Sequence, residues 1–328
     1  MYDVFGLGNA LVDTEVKIDD GFLHQNRIAK GHMTLVDSDQ MQTLAQAVET
    51  LPKNSCSGGS AANTIYAVQA LGLKSYYSCK LAGDDTGDFF VHDLTTSGVG
   101  INENAQRGEG ASGRCLVLIT EDAERTMMTD LGISAELSKA EVNEDALRLS
   151  KYYYVEGYMA SSSNATEAAV HCRELSQVHN VQIAVSLSDV SMVQFCRDGL
   201  EQMLGNGIHQ LFCNEEEALA WANTDRMDVA VAELKDIAQE VYITLGAQGS
   251  LAVSTHGRHQ APGIAVQPVD TTGAGDIYAG ACLTALCEGA NPLDAARFAN
   301  HCAAELVTHY GARLPRLSDY TALKTQFS

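Results

Sequence analysis

Apolar and polar positions alternate along this chain in two rhythms. Tyr2–Leu7 is a short apolar run that closes on Gly6-Leu7-Gly8. Segments with apolar positions three and four apart predict helices over Ala61–Leu71, Asp85–Ser97, Asn164–Val178, Glu215–Ala222, Val229–Gln239, Gly275–Glu288 and Pro292–Tyr310. Short apolar runs between them predict strands at Lys74–Leu81, Tyr152–Val155, Gln182–Ser186, Gln210–Cys213, Val241–Leu245 and Ser250–Ser254, and around Ile264–Val269. Strands separated by helices of this length imply βαβ units, hence an α/β fold with a doubly wound, mainly parallel sheet. Two stretches break the rhythm. Leu11–Ile18 with Met33–Val36, and Arg114–Thr120 with Glu124–Asp130, read as strands with no helix between them. A small β unit drawn from about 11–36 and 101–130, covering the crevice at the strand ends, accounts for them; edge strands of the main sheet are the alternative.

Composition narrows the picture. The 328 residues include 45% hydrophobic positions, as in an ordinary globular chain, and no apolar run approaches the roughly 18 residues of a bilayer span. The start carries Asp3 and no Lys or Arg before it, so it does not read as a secretory signal. With 21 Lys and Arg against 42 Asp and Glu, the net charge is −21. That excludes nucleic acid and anionic membrane as expected partners, because both need clustered cations. An anionic ligand must then be held by backbone donors, helix starts or a divalent metal. Nine cysteines without metal-ligand spacing predict reduced thiols and a cytoplasmic protein.

The candidate chemistry sits at three glycine turns. Asp270-Thr271-Thr272-Gly273-Ala274-Gly275-Asp276 joins a strand to a long helix. Its free N–H groups at Gly273, Ala274 and Gly275 can converge with the helix dipole into an anion hole that uses no Lys or Arg. Asp276 beside it is either an ordinary first-turn charge or a general base for a hydroxyl during phosphoryl transfer. Ser57-Gly58-Gly59-Ser60 is a second glycine turn entering a helix, and Asn63, four residues past Gly59, is placed to reach the same ligand; a plain tight turn is the alternative. Gly6-Leu7-Gly8-Asn9-Ala10-Leu11 starts like a dinucleotide fingerprint but lacks the third glycine, which argues against a nicotinamide enzyme. Asn9 and Asp13 fall at the end of the first strand, where Asp13 could accept hydrogen bonds from two vicinal hydroxyls. No P-loop, nucleophile elbow or zinc-binding HExxH motif occurs.

Gly58-Gly59 with Asn63, and Asp270 to Asp276, taken in this order, resemble the two signature patterns of the ribokinase-like (PfkB) carbohydrate and nucleoside kinases. Gly83-Asp84-Asp85, Ser97-Gly98-Val99, Asn214 with Glu217, Thr244 with Gly246 and Gly249, and Ala299-Asn300 with Gly311-Ala312 extend the likeness over essentially the whole chain. The resemblance implies one kinase domain over 1–328, a three-layer α/β core and a β lid. It implies ATP and Mg²⁺ as cofactors, with K⁺ as a further candidate. Asp276 would be the base and Gly273, Ala274 and Gly275 the anion hole. Asn9, Leu11, Asp13, Gly58, Gly59 and Asn63 would line the acceptor pocket. Asn214 and Glu217 would organise Mg²⁺ through water, while Thr244, Gly246, Gly249 and Asn300 shape the ATP site. Asp270 and Thr272 would flank a monovalent-cation site. The start through Asp13, the Ile119–Arg125 stretch and Tyr158, which falls where an aromatic ring meets a purine, resemble the adenosine kinase branch. The expected acceptor is therefore a ribosyl hydroxymethyl, adenosine first. A sugar kinase acting on ribose, fructose or 2-keto-3-deoxygluconate and an inactive ligand-binding protein are the alternatives. A monomer or homodimer is expected.

Overall fold

The computed structural model describes residues 1–31, 33–102, 107–122 and 124–327. Its strands, in chain order, are β1 (Tyr2–Leu7), β2 (Leu11–Lys17), β3 (Met33–Leu35), β4 (Lys53–Gly58), β5 (Ser75–Ser78), β6 (Gly100–Ile101) and β7 (Gly113–Ile119). There follow β8 (Arg125–Asp130), β9 (Ser150–Glu156), β10 (Gln182–Ser186), β11 (Ile208–Asn214), β12 (Ala238–Thr244), β13 (Gly249–Ser254) and β14 (Gly257–Pro262). Nine form one sheet in the order β14-β13-β12-β11-β10-β9-β1-β5-β6, parallel from β6 through β12 and antiparallel at β13 and β14. Its two faces are covered by helices. Val4 packs into one layer with the helices Ser60–Ala70, Ala274–Cys287 and Pro292–Leu306; Phe5 and Leu7 face the other, with Ser163–His179 and Met227–Ile237. Apolar side chains on both faces are what a parallel sheet between two helix layers requires.

A second sheet, β3-β8-β7-β2-β4, leaves the first directly after β1. Val16, Leu116, Leu118 and Met128 on one face pack against Leu23, Met41 and Leu44 of the helices Asp20–Gln25 and Ser38–Ala47. By the two-residue period of a strand, Leu11, Asp13 and Glu15 of β2 share the opposite face. His32, residues 103–106 and Ala123 fall within the segments expected for this sheet and lie outside the described residues.

Four local expectations are corrected. The helix Asp20–Gln25, capped by Asp19 accepting from Phe22 N–H at 2.8 Å, stands between β2 and β3. Lys53–Gly58 is an edge strand of the second sheet: its first residues are polar and exposed, so no alternation marks it. Ile264–Val269 forms no strand; the partner of β13 is β14, reached through a two-residue turn, and its polar edge residues hid it from the apolar pattern. The helix beginning at Pro292 ends at Leu306 rather than at Tyr310.

One packing contact positions the site. The helix Ala274–Cys287 is buried from Ile277 through Ala285 because it is apolar on every side. Gly280 lets it cross Ser60–Ala70 so closely that a Cβ there would lie 2.7 Å from Thr64 O and 2.8 Å from Ala67 Cβ. The first turns of the two helices are thereby held side by side.

Candidate active site

At that meeting point Asp276 is gripped from both oxygens. Ser60 Oγ donates to Oδ1 at 2.7 Å and Asn63 Nδ2 donates to Oδ2 at 3.1 Å. Burial pushes the Asp276 carboxyl up to about 6, against the pull of these two donors and of Arg313. Gly273 caps the helix in the left-handed region, φ +73°, so the backbone turns sharply and the next N–H groups face outward. Ala274 is corrected as an anion-hole donor: its N–H is spent on Thr271 O, at 3.1 Å, closing the turn before the helix. Gly275 and Asp276 begin the helix, so their N–H groups have no acceptor four residues back. A Cβ on Gly275 would meet nothing within 4 Å, so open space adjoins this helix start. A carboxylate able to take a proton thus stands beside N–H groups able to bind an anion.

Asp13 comes from the second sheet. It lies opposite Cys56 in the β2–β4 pairing, and burial pushes its carboxyl up to about 7, with Arg313 opposing and Glu15 and Asp276 reinforcing the rise. Gly58 is required here by close approach, since a Cβ would fall 2.2 Å from Asp13 Oδ2. Gly59, at φ +100°, caps the Ser60–Ala70 helix, and Leu11 pairs with Gly58. Asn9 is buried and held on all sides, its side-chain Oδ1 accepting from Ser134 Oγ at 3.3 Å. Its N–H donates to Glu156 Oε1 at 2.7 Å, and its carbonyl accepts from Tyr77 at 2.7 Å. Glu156, at the end of β9, also takes Ala61 N–H at 2.6 Å, and burial holds its carboxyl near 7. It ties the end of β1 to the start of the Ser60–Ala70 helix. Tyr158 is partly buried in the turn Gly157–Ser161 just beyond, and its hydroxyl is raised by burial and by Asp189, Glu156, Asp276 and Glu217.

The second group lies along the ends of β11 and β12. Asn214 and Glu217 form a capping box: Asn214 Oδ1 accepts from Glu217 N–H at 2.8 Å, and Glu217 accepts from Asn214 N–H at 3.1 Å and Nδ2 at 2.7 Å. Thr244 pairs with Asn214 across the strands, and Gly246 and Gly249 form the turn into β13. Asn300 Nδ2 donates to the carbonyls of Ala261 and Pro262, tying the helix Pro292–Leu306 to β14.

The residues fit the two metals differently. Among the described residues no three His, Cys, Asp or Glu side chains group as metal ligands. Glu217 already accepts from Asn214 through both oxygens, which suits contact through metal-bound water, as Mg²⁺ carried on a triphosphate allows. Asp270 fits a monovalent cation poorly. Its Oδ1 accepts from Thr272 N–H at 3.0 Å and its Oδ2 from Gly311 N–H at 2.7 Å, while Arg125 Nη2 pairs with Oδ2 at 2.8 Å and with Glu15 at 3.0 Å. A guanidinium from the second sheet already supplies the positive charge there.

Sequence reasoning passed over Ser60, Glu156 as the tie between Asn9 and Ala61, and Arg313. Arg313 donates from Nε to Asn63 Oδ1 at 3.0 Å and from Nη1 to Ser57 Oγ at 2.9 Å. Its neighbours lie some 250 positions away, so no local pattern marks it. The one available signal was negative: an acidic pocket needs a counter-charge, and the chain has few cations.

A parallel α/β core under a small second sheet, with a carboxylate at an open helix start, is the architecture of the ribokinase-fold kinases. This chain belongs to the pfkB family of carbohydrate kinases, whose pattern matches residues 43–319, and it is an ATP-dependent kinase. The adenosine kinase of Sinorhizobium meliloti is 32% identical, with 100% of this chain and 99% of that one superposed at a TM-score of 0.90. A probable sugar kinase of Rhizobium etli is 30% identical over 99% and 98% of the two chains, at a TM-score of 0.89. The adenosine kinase of Saccharomyces cerevisiae is 25% identical across 86% of this chain and 88% of its own length. No helix among the described residues is long and apolar enough to cross a membrane.

Proposed function

We propose that this kinase transfers the γ-phosphoryl group of ATP to the 5′-hydroxymethyl of a ribosyl acceptor, and that the acceptor is adenosine. The observation that carries the reading is Asp276, held by Ser60 and Asn63 beside the helix start. With its carboxyl near 6, Asp276 is ionised at neutral pH yet basic enough to take the acceptor hydroxyl proton as the new P–O bond forms and the bond from the γ-phosphorus to the bridging oxygen breaks, with ADP leaving. The N–H groups of Gly275 and Asp276, left free at the helix start, receive the negative charge of the transferring phosphoryl oxygens. Asp13 accepts from the ribose hydroxyls, with Gly58, Gly59, Leu11 and Asn63 lining the pocket and the backbone of Asn9 fixing its floor. Asn214 and Glu217 would hold the water shell of a Mg²⁺ carried on the triphosphate, and that ion would supply neutralisation of phosphate charge. Thr244, Gly246, Gly249 and Asn300 shape the nucleotide wall. The second sheet acts as the lid over these groups. Adenosine is favoured by the 32% identity with an adenosine kinase over the full chain and by Tyr158, a ring beyond β9 able to stack on a base.

A sugar kinase is the second reading. Arg313 beside Asn63 gives the pocket a cation that a sugar acid would use, and the Rhizobium etli relative carries a sugar kinase name. Asp276→Asn tests the shared chemistry. The amide keeps the shape and cannot take the proton, so turnover should fall about 10²–10⁴-fold with ATP affinity retained. Turnover within about tenfold of wild type, well below that range, would remove Asp276 as the base.

A further inference from the structure

We propose that Arg313 is a positioning residue for phosphoryl transfer: through the Asn63 amide it orients a hydrogen-bond donor onto Asp276. The proposal rests on Asp276 being the base. A guanidinium has only donors, so Arg313 Nε, 3.0 Å from the Asn63 side chain, requires the amide oxygen to face it. The amide nitrogen must then face the other way, where it donates to Asp276 Oδ2 at 3.1 Å. Without Arg313 the amide is held from the Asp276 side alone, so its direction and the 3.1 Å contact to Oδ2 lose the second of the two contacts that fix them.

Arg313 is itself fixed. Its Nη1 donates to Ser57 Oγ at 2.9 Å and pairs with Asp93 at 3.2 Å, and its guanidinium lies over the Tyr66 ring at 4.1 Å. The side chain is 8% exposed. Asp93 also accepts from Ser57 N–H at 3.0 Å, so the anchor joins β4, the helix Asp85–Thr96 and the C-terminal segment. The groups acting on Asp276 come from every side. They are Ser60 and Asn63 from one helix, Asp13 from the second sheet, Glu156 and Tyr154 from β9, Tyr77 from β5, Tyr158 from the turn past β9, and Arg313. Arg313 is the cation among them. It therefore does two things at once: it sets the direction of the amide, and its charge favours the ionised base.

The pH profile of kcat in Arg313→Gln and Arg313→Lys separates this from a purely structural role. In the wild type the acid limb should fall near pH 6, where burial has left Asp276. In Arg313→Gln that limb should move up by about one pH unit, the low end for losing a nearby opposite charge, so that activity lost at pH 7 returns above pH 8. Arg313→Lys keeps the charge without the fixed fork, so its limb should stay near the wild-type position while kcat falls at every pH. The loss caused by Arg313→Gln should shrink once Asn63→Ala is present. An unmoved limb in a folded Arg313→Gln enzyme, a wild-type kcat in Arg313→Lys, or full additivity with Asn63→Ala would overturn the relay. If Asp276→Asn keeps its turnover, the base assignment fails instead.

Discussion

In the proposed reaction Tyr158 and Asp13 divide the acceptor between them. Asp13 offers a carboxylate to hydroxyls that ribose, fructose and nucleosides all possess, so it cannot separate them. Tyr158 can, because only a nucleoside carries a flat base to stack on its ring. Loss of such a stack costs ~1–3 kcal/mol. Tyr158→Ala should therefore lower kcat/KM for adenosine about tenfold or more and leave a free sugar almost unaffected. Equal losses on both acceptors, measured by steady-state kinetics, would show that Tyr158 supports the turn Gly157–Ser161 rather than a base. Glu156, two residues earlier, illustrates the opposite case. It is a buried acid with its carboxyl near 7, yet it spends both oxygens on Asn9 and Ala61 N–H groups and holds two elements together.

At the scale of elements, the two helix starts that build the site follow from one glycine. Gly280 allows the Ala274–Cys287 and Ser60–Ala70 helices to approach, and Asp276, Ser60 and Asn63 meet one turn earlier. Those helices were legible from their apolar period and glycine turns because each is buried along most of its length. β4 was not, because its exposed polar residues belong to a sheet edge, and Arg313 was not, because its partners lie far away in sequence. The link from β8 to the loop before Ala274 was also invisible: Arg125 joins Glu15 and Asp270 through contacts that only the tertiary fold creates. It leads to a definite expectation. Because the guanidinium fills the cation's electrostatic role at Asp270, wild-type turnover in potassium chloride should equal that in tetramethylammonium chloride of the same ionic strength. Severalfold stimulation by K⁺ would mean that Arg125 is displaced during the reaction.

For the molecule as a whole, the site is a cost to stability. Burial holds Asp13, Glu156 and Glu217 near 7 and Asp276 near 6, whereas ordinary values are 3.8 for Asp and 4.5 for Glu. Between about pH 5 and 7 the unfolded chain has released these protons and the fold still binds them, so their contribution to stability falls as pH rises through that window. Asp13→Asn removes one of these groups. Its Tm should exceed that of the wild type at pH 8, by at most about 2–4 °C for each kcal/mol recovered, and the gap should narrow steadily as the pH falls through 7 towards 4, where both states bind the proton. A gap independent of pH would locate the effect in packing. The same substitution should raise the acceptor KM, which is the exchange of stability for function expected of a binding site. The net charge of −21 fits the proposed reading, in which phosphate binding is left to backbone N–H groups and Mg²⁺. All of it serves one activity, and the most direct test is ADP release from ATP–Mg²⁺ over a panel of adenosine, other nucleosides, ribose, fructose and 2-keto-3-deoxygluconate. The account predicts the highest kcat/KM for adenosine; a higher value for a free sugar or sugar acid would contradict the nucleoside assignment.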